Sequence, residues 1–147
     1  MPTVARSREV SASPEAVWGI VGDPYHLPRW WPRVARVEAV AGGRFTEVLG
    51  GARSGRSVRA DFRIEEKRRG ELLRFSQEVA GSPFERVLRE AETEIAIAPA
   101  GDGTRVSVTL RQKLRGMSRL GGFLVRRATR KVIDEALDGL EDAVGQT

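Results

Sequence analysis

The stretch SASPEAVWGIVGDPYHLPRWWPRV, Ser11 to Val34, carries the strongest local signals in the chain. Its first half predicts a short helix, because Ser13 stands at an N-cap position, Pro14 at the first helical position and Glu15 near the positive end of the helix dipole. Glycine and a residue before proline both oppose further helix, so we expect the helix to end near Gly22.

The second half, Asp23 to Pro32, concentrates aromatic surface in a segment whose three prolines oppose a regular helix or strand. Trp30 and Trp31 are adjacent, so if one ring packs inward, we expect the other to face solvent or the mouth of a pocket. The segment is therefore either a core plug or the lip of a pocket. We expect Trp18, on the apolar side of the short helix, to lie in the core.

Length and composition predict one soluble domain spanning residues 1–147, because 40% of the residues are apolar and 31% are charged. There is no cysteine and no apolar run long enough for a secretory signal, which favours a cytoplasmic location. One histidine and no thiol predict no metal site, and no motif indicates a cofactor. The net charge of +5 does not come with a nucleic-acid-binding motif, so we expect no specific nucleic-acid partner.

Alternation of apolar and polar residues predicts about seven strands, joined by turns at Gly42-Gly43 and Asp102-Gly103 and by a flexible connection containing Gly50, Gly51 and Gly55. The expected inward-facing positions include Ala35, Val37 and Ala39, and further along the chain the following: Val58, Ala60, Phe62, Ile64, Leu73, Phe75, Gln77, Val79, Val87, Arg89, Ala91, Thr93, Ile95, Ile97, Val106, Val108, Leu110 and Gln112. From Met117 the period becomes helical and predicts one helix of about 28 residues, whose apolar face covers the sheet.

That helix carries its basic residues in the N-terminal half and its acidic residues in the other half, opposite to what the helix dipole favours. We expect pairs four residues apart, such as Arg130 with Asp134 and Lys131 with Glu135, to offset part of this cost. The alternative is a cationic patch beside a cavity entrance, which would attract an anionic membrane or an acyl carrier protein.

The order of these elements and the stretch from Ser7 to Val40 resemble the SRPBCC (START-like) superfamily, of the polyketide cyclase/dehydrase and lipid-transport type. The matching features are Ser13 to Trp18 after the first strand, Asp23-Pro24, Trp30 and Pro32, and the hairpin Gly101 to Thr104. The resemblance covers essentially the whole chain. It implies an α+β helix-grip fold: a seven-stranded antiparallel sheet wrapped around a long C-terminal helix, with two short helices after strand 1 and a cavity between sheet and helix.

Polar residues at inward-facing strand positions are the candidate site residues, because a buried polar group without a partner costs about 1–3 kcal/mol. Arg89 could hold an anionic oxygen; the alternatives are a strand bulge that turns it outward and a pairing with an internal glutamate. We predict a ligand-binding set made of Trp30, Trp31, Phe62, Phe75, Gln77, Arg89, Thr93 and Gln112. The weak candidates for a catalytic group are Arg89, His26 and Tyr25, of which histidine titrates nearest to neutral pH.

Three functions follow from these residues and the resemblance. The first is binding of a hydrophobic or amphipathic small molecule, such as a lipid, isoprenoid or polyketide. The second is an enzyme, a polyketide cyclase or dehydrase of the aromatase type. The third is a protein-interaction module that uses the basic half of the C-terminal helix. The expected assembly is a monomer or a homodimer.

Overall fold

The computed structural model describes residues 3–50, 57–116 and 119–145. These residues form a seven-stranded antiparallel sheet in the order β1-β7-β6-β5-β4-β3-β2, together with the helices α1 (Pro14–Val21), α2 (Leu27–Trp30) and α3 (Arg119–Gly145). The strands are β1 (Thr3–Val10), β2 (Val34–Ala41), β3 (Arg44–Gly50), β4 (Ser57–Arg68), β5 (Leu72–Gln77), β6 (Leu88–Ala100) and β7 (Gly103–Leu114). The α+β helix-grip fold is confirmed. The connection predicted at Gly51 and Gly55 lies outside the described residues.

The segment between β1 and β2 crosses from one edge of the sheet to the other, because β1 and β2 are the two edge strands. Ser13 caps α1 by accepting a hydrogen bond from the Ala16 amide (3.2 Å), as predicted. The aromatic part is more regular than the sequence indicated: Pro24–His26 is a 3-10 turn and Leu27–Trp30 is one turn of α-helix. Prolines are compatible with both elements, because each stands in a first turn, where the missing N–H has no partner to lose.

The prediction for the inward face of β2 is wrong in part. Val34 and Val37 are buried, whereas Ala35 and Ala39 are exposed. The pairing with β3 shifts register between Val34 and Arg36 and again before Ala41, and each such irregularity moves the following side chains to the other face. A period of two along the sequence does not reveal these shifts. Val58, at the start of β4, is likewise exposed rather than inward-facing.

Strand β6 begins later than the alternation indicated. Pro83–Arg86 forms a 3-10 turn, capped by the Ser82 hydroxyl, and Val87 is exposed rather than inward-facing. The pairing of β6 with β7 then shifts between Leu88 and Glu90. At the β6–β7 hairpin the left-handed residue is Gly101 (φ +56°), one position before the predicted Asp102-Gly103 turn.

The core lies between the inner face of the sheet and α3. Helix α3 contributes the fully buried residues Ile133, Ala136, Leu137 and Leu140, which belong to one core cluster with Ile95 of β6 and with Val106 and Val108 of β7. The predicted apolar face of α3 is thus present over its second half. No helix in the described residues is both long and apolar enough to cross a bilayer.

The acidic half of α3 pairs with strand β1. Arg6 lies 3.3 Å from the Asp134 carboxylate, and Arg8 bonds to Asp138 and, at 3.2 Å, to Glu141. The expected partner of Asp134, Arg130, is therefore replaced by a residue more than 120 positions away. These ion pairs, between residues far apart in the sequence, hold the C-terminal half of α3 against one edge of the sheet.

A second contact holds the same half of α3 from the other side. A Cβ built on Gly139 would lie 2.5 Å from the carbonyl oxygen of Trp30, closer than two such atoms can approach. Only glycine permits α2 and α3 to lie this close. Gly122, on the same helix, has no atom near its corresponding position.

Replacing Gly139 by alanine should therefore lower the free energy of unfolding by about 1–3 kcal/mol, although alanine favours helix by about 1 kcal/mol. Gly122→Ala is the matched control and should raise stability by up to about 1 kcal/mol. Chemical denaturation of both variants checks this. Equal effects of the two substitutions would show that the Trp30 contact does not restrict this position.

Candidate functional site

A cavity of about 170 Å³ lies between the sheet and the middle of α3. Strands β3 to β7 supply its floor, Val132 of α3 its roof, and Trp31, just after α2, one end. Its lining consists of Trp31, Glu47, Phe62, Phe75, Gln77, Ala91, Glu92, Thr93, Leu110, Gln112 and Val132. Six of the eight residues predicted to bind a ligand line this one cavity.

Three phenylalanine rings pack together beside the cavity, and two of them, Phe62 and Phe75, line it. Phe45 and Phe62 stack with ring centroids 5.2 Å apart, and Phe75 meets both rings edge to face at 5.1 and 5.5 Å. Such pairs stabilise the fold by about 0.5–1.5 kcal/mol each beyond the area they bury. These packed rings give the cavity one apolar side.

Glu47 is the charged group that the sequence analysis missed. It lies on β3 opposite Ala60 and is only 7% exposed, and it lines the cavity. Burial in these apolar surroundings raises the pKa of its carboxyl to about 7. A signal was present in the sequence, because Glu47 stands two residues after the aromatic Phe45 and therefore shares its face of β3.

The polar side of the cavity also contains two amides. Gln77 lies opposite Phe62 of β4, and its Nε2 atom is buried with no hydrogen-bond partner among the described residues. Gln112, by contrast, has a hydrogen-bond partner: the Thr129 hydroxyl of α3 donates to its Oε1 atom at 3.4 Å. The two glutamines, both predicted, therefore differ: one stabilises the contact between β7 and α3, and the other has an unused donor.

The adjacent tryptophans take different positions, as expected. Trp30 is 3% exposed and packs in the core without lining the cavity, whereas Trp31 is half-buried and lines it. Their rings meet edge to face at 5.3 Å. Trp18 packs against the core with its ring over Gly22 but is only partly buried, so the prediction that it lies in the core is wrong in part.

Arg89 lies outside the cavity. The register shift at the start of β6 leaves it exposed, which is the outward bulge that the sequence analysis gave as one alternative. It lines a surface groove of about 320 Å³ with Arg111 and Glu90, and this groove shares Gln77, Ala91 and Glu92 with the cavity. These three shared residues therefore lie between the groove and the cavity.

Tyr25 and His26 do not line the cavity either. Tyr25 is 52% exposed, and the Nδ1 atom of His26 lies 3.4 Å from the Arg29 guanidinium. Both belong to the 3-10 turn before α2. Within the described ranges, no cluster of three or more acidic or histidine side chains could hold a metal ion.

The basic half of α3 is exposed. Arg126, Arg127, Arg130 and Lys131 face solvent, and Phe123 and Leu124 just before them are more than half exposed. Contact of this surface with an anionic membrane or an acyl carrier protein stays a prediction.

The raised pKa of Glu47 predicts a pH-dependent stability. Below about pH 4.5 the carboxyl is protonated in both the folded and the unfolded chain, whereas between pH 4.5 and 7 only the unfolded chain ionises. The wild-type protein should therefore lose about 3 kcal/mol relative to Glu47→Gln as the pH rises from 4 to 8. Glu71→Gln, at an exposed position, is the control and should follow the wild-type curve. Denaturant unfolding at a series of pH values measures the difference, and parallel curves for wild type and Glu47→Gln would contradict the assignment.

The chain was compared with solved structures. The START superfamily protein from Mycobacterium smegmatis is 19% identical, with coverage of 98% of this chain and 97% of that one and a TM-score of 0.78. The protein TTHA0849 from Thermus thermophilus is 26% identical, with 97% of each chain covered and a TM-score of 0.66. The di-domain ARO/CYC BexL from the BE-7585A biosynthetic pathway is 21% identical at a TM-score of 0.79, over 99% of this chain and 47% of that one.

A comparison with proteins of curated function found no match. The family model described as "Polyketide cyclase / dehydrase and lipid transport" matches residues 1–145, nearly the whole chain. With the helix-grip sheet, the long C-terminal helix and the cavity between them, this match shows that the chain belongs to the polyketide cyclase/dehydrase and lipid-transport family of the START-like superfamily.

Proposed function

We propose that the protein binds a small, neutral, amphipathic molecule in the cavity between its sheet and α3. The observation that carries the proposal is the Gln77 amide, whose Nε2 atom is buried without an acceptor at the wall of this cavity. A buried donor without a partner costs about 1–3 kcal/mol, and a ligand oxygen in the cavity would recover that free energy. The family supports the same function, because its description includes lipid transport.

The apolar part of the ligand would lie against Phe62, Phe75 and Leu110. Burying apolar surface there contributes about 25 cal/mol per Å², which supplies most of the affinity, while the polar groups orient the molecule. Pockets for drug-sized ligands measure about 300–1,000 Å³. A cavity of about 170 Å³ favours a ring-sized molecule or one end of a longer isoprenoid or polyketide.

The second candidate is an enzyme, a polyketide cyclase or dehydrase. A catalytic role for His26 or Tyr25 lacks support, because neither lines the cavity, and Arg89 lies in the neighbouring groove. The group that favours an enzyme is instead Glu47, a carboxyl in the cavity that can both take and release a proton near neutral pH. The third candidate, a protein-interaction module, would use the exposed basic half of α3.

Filling the cavity with a larger side chain should weaken ligand binding. Ala91 lines the cavity, and Ala91→Leu should weaken binding of benzyl alcohol, which has one ring and one hydroxyl, by tenfold or more. Ala98→Leu places the same side chain at an exposed position of the same strand and is the matched control. Titration followed by amide chemical shifts gives both affinities. Saturable binding that is equal in both variants would place the ligand elsewhere and contradict the proposal.

Trp31 should contribute to ligand binding more than to stability. Trp31→Ala should cost under about 1.5 kcal/mol of unfolding free energy, because its ring is half-buried, and should weaken benzyl alcohol binding. Trp30→Ala should cost about 3–5 kcal/mol as a deletion from the core. Denaturant midpoints compare the two variants. A Trp31→Ala protein as destabilised as Trp30→Ala would identify Trp31 as a core residue.

A further inference from the structure

The first half of α3 carries large apolar side chains that face solvent. Residues 121–128 are exposed or partly exposed, and among the described side chains of the helix burial begins only at Thr129. Phe123 and Leu124 are 56% and 54% exposed. A helix that lies against a sheet normally directs its large apolar side chains toward that sheet. These two side chains therefore belong to a surface that the fold itself does not cover.

The helical period places this surface on the side of α3 that points away from the sheet. Counted from Phe123 in steps of about 100°, the fully buried Ile133 lies at about 280° and marks the side that faces the sheet. Leu124, at about 100°, lies directly opposite. The exposed cations Arg127 and Lys131 lie at about 40° and 80°. Leu124 and the two cations thus share the outer face, and Phe123 lies at its margin.

A third exposed apolar side chain lies at the same end of the domain. Val87 is 58% exposed, and its carbonyl accepts a hydrogen bond from the Arg115 amide (3.1 Å), just after β7. Helix α3 begins four residues later and runs back over β7, where Thr129 bonds to Gln112. Phe123 precedes Thr129 by about 9 Å of helix, and Arg115 follows Gln112 by about 10 Å of strand, so both lie at a similar level.

Cations surround the three apolar side chains. Arg86 and Arg115 line a groove of about 630 Å³ next to Val87, in which Glu85 supplies one opposing charge. The sequence from Arg115 to Ile133 contains no acidic residue. The exposed cations at this end, which form no ion pair within the described ranges, are Arg86, Arg115, Arg126, Arg127, Arg130 and Lys131.

Exposed apolar side chains among unpaired cations match the interface of a bilayer with anionic headgroups, where apolar groups enter the acyl boundary and cations meet phosphates. We propose that this end of the domain docks on an anionic membrane, with Phe123 and Leu124 inserted and Arg127 and Lys131 on the headgroups. The docking is independent of the proposed function, because none of these residues lines the cavity.

The apolar side chains favour a membrane over an acidic protein such as an acyl carrier protein. Both partners complement the cations, but a protein must offer a shaped pocket to each apolar side chain, whereas a lipid layer accepts them in any arrangement. Val87 lies on a different element from Phe123 and Leu124, and a fluid surface can meet both elements at once.

The charge layout of α3 then has a function. Its acidic second half, with Glu135, Asp138 and Glu141, is repelled by an anionic surface, so the helix meets the bilayer by its first turns. An arrangement that opposes the helix dipole thereby fixes the orientation of the domain on the membrane.

A single fluorescent label tests the insertion, because the chain contains no cysteine. An environment-sensitive dye on Leu124→Cys should shift its emission to the blue with vesicles of equal parts phosphatidylcholine and phosphatidylglycerol, and should not respond to phosphatidylcholine alone. Ala98→Cys carries the same dye at an exposed position near the β6–β7 hairpin, at the opposite end of the sheet, and its emission should stay unchanged.

Vesicle co-sedimentation measures the affinity of unlabelled variants. Arg127→Glu with Lys131→Glu should weaken binding to the anionic vesicles by about tenfold or more. Lys67→Glu with Arg69→Glu makes the same charge change at exposed positions near the turn between β4 and β5, and it should retain most of the affinity.

A second pair of substitutions tests the apolar contribution. Phe123→Ser with Leu124→Ser changes no charge and should weaken binding to the anionic vesicles by about tenfold. All the side chains replaced are exposed, and circular dichroism checks that each variant folds.

Three results would overturn the proposal. The first is a wild-type protein that does not bind the anionic vesicles. The second is a dye at position 124 that stays in water in their presence, which is expected if the cations bind an acidic protein instead. The third is an equal loss of affinity in the two charge-reversal pairs, since binding would then follow the net charge of the chain and not this surface.

Discussion

The close approach of Gly139 to the Trp30 carbonyl is the contact on which the arrangement of this domain depends. It joins α2, the end of the segment that crosses between the sheet edges, to the second half of α3. Together with the pairs that Arg6 and Arg8 form with that half, it anchors one end of the helix at both sheet edges. The cavity lies beside this anchored half, under Val132 at the middle of α3.

Packing is uneven along α3 as a result. Ile133, Leu137 and Leu140 are fully buried, whereas Val125 and Val132 are only partly covered. Val132 closes the cavity, and the Thr129 hydroxyl bonds to Gln112 at 3.4 Å on the strand below. The domain thus combines a tightly packed core at one end of the helix with a small, partly polar space near the middle.

The two polar groups in that space reduce stability. Glu47 is buried without a described cationic partner, and Gln77 has a buried donor without an acceptor. A residue that only filled the core would be better replaced by an apolar side chain, since unpaired buried polar groups are costly. Both groups lie on one wall of one cavity, which is the arrangement expected where binding, rather than folding, requires them.

The sequence alone determined the features that depend on neighbouring residues: the Ser13 cap of α1, the alternation of the central strands and the apolar face of α3. It also indicated six residues of the cavity wall, because inward-facing positions in regular strands follow from a period of two. Tertiary structure decided the rest. Register shifts in β2 and β6 exposed Ala35, Ala39 and Arg89, and the acidic residues of α3 found partners in β1 rather than one helical turn away. The burial of Glu47, and with it the raised pKa of its carboxyl, arises only when five strands and α3 enclose it, since no local pattern specifies how much water a side chain retains.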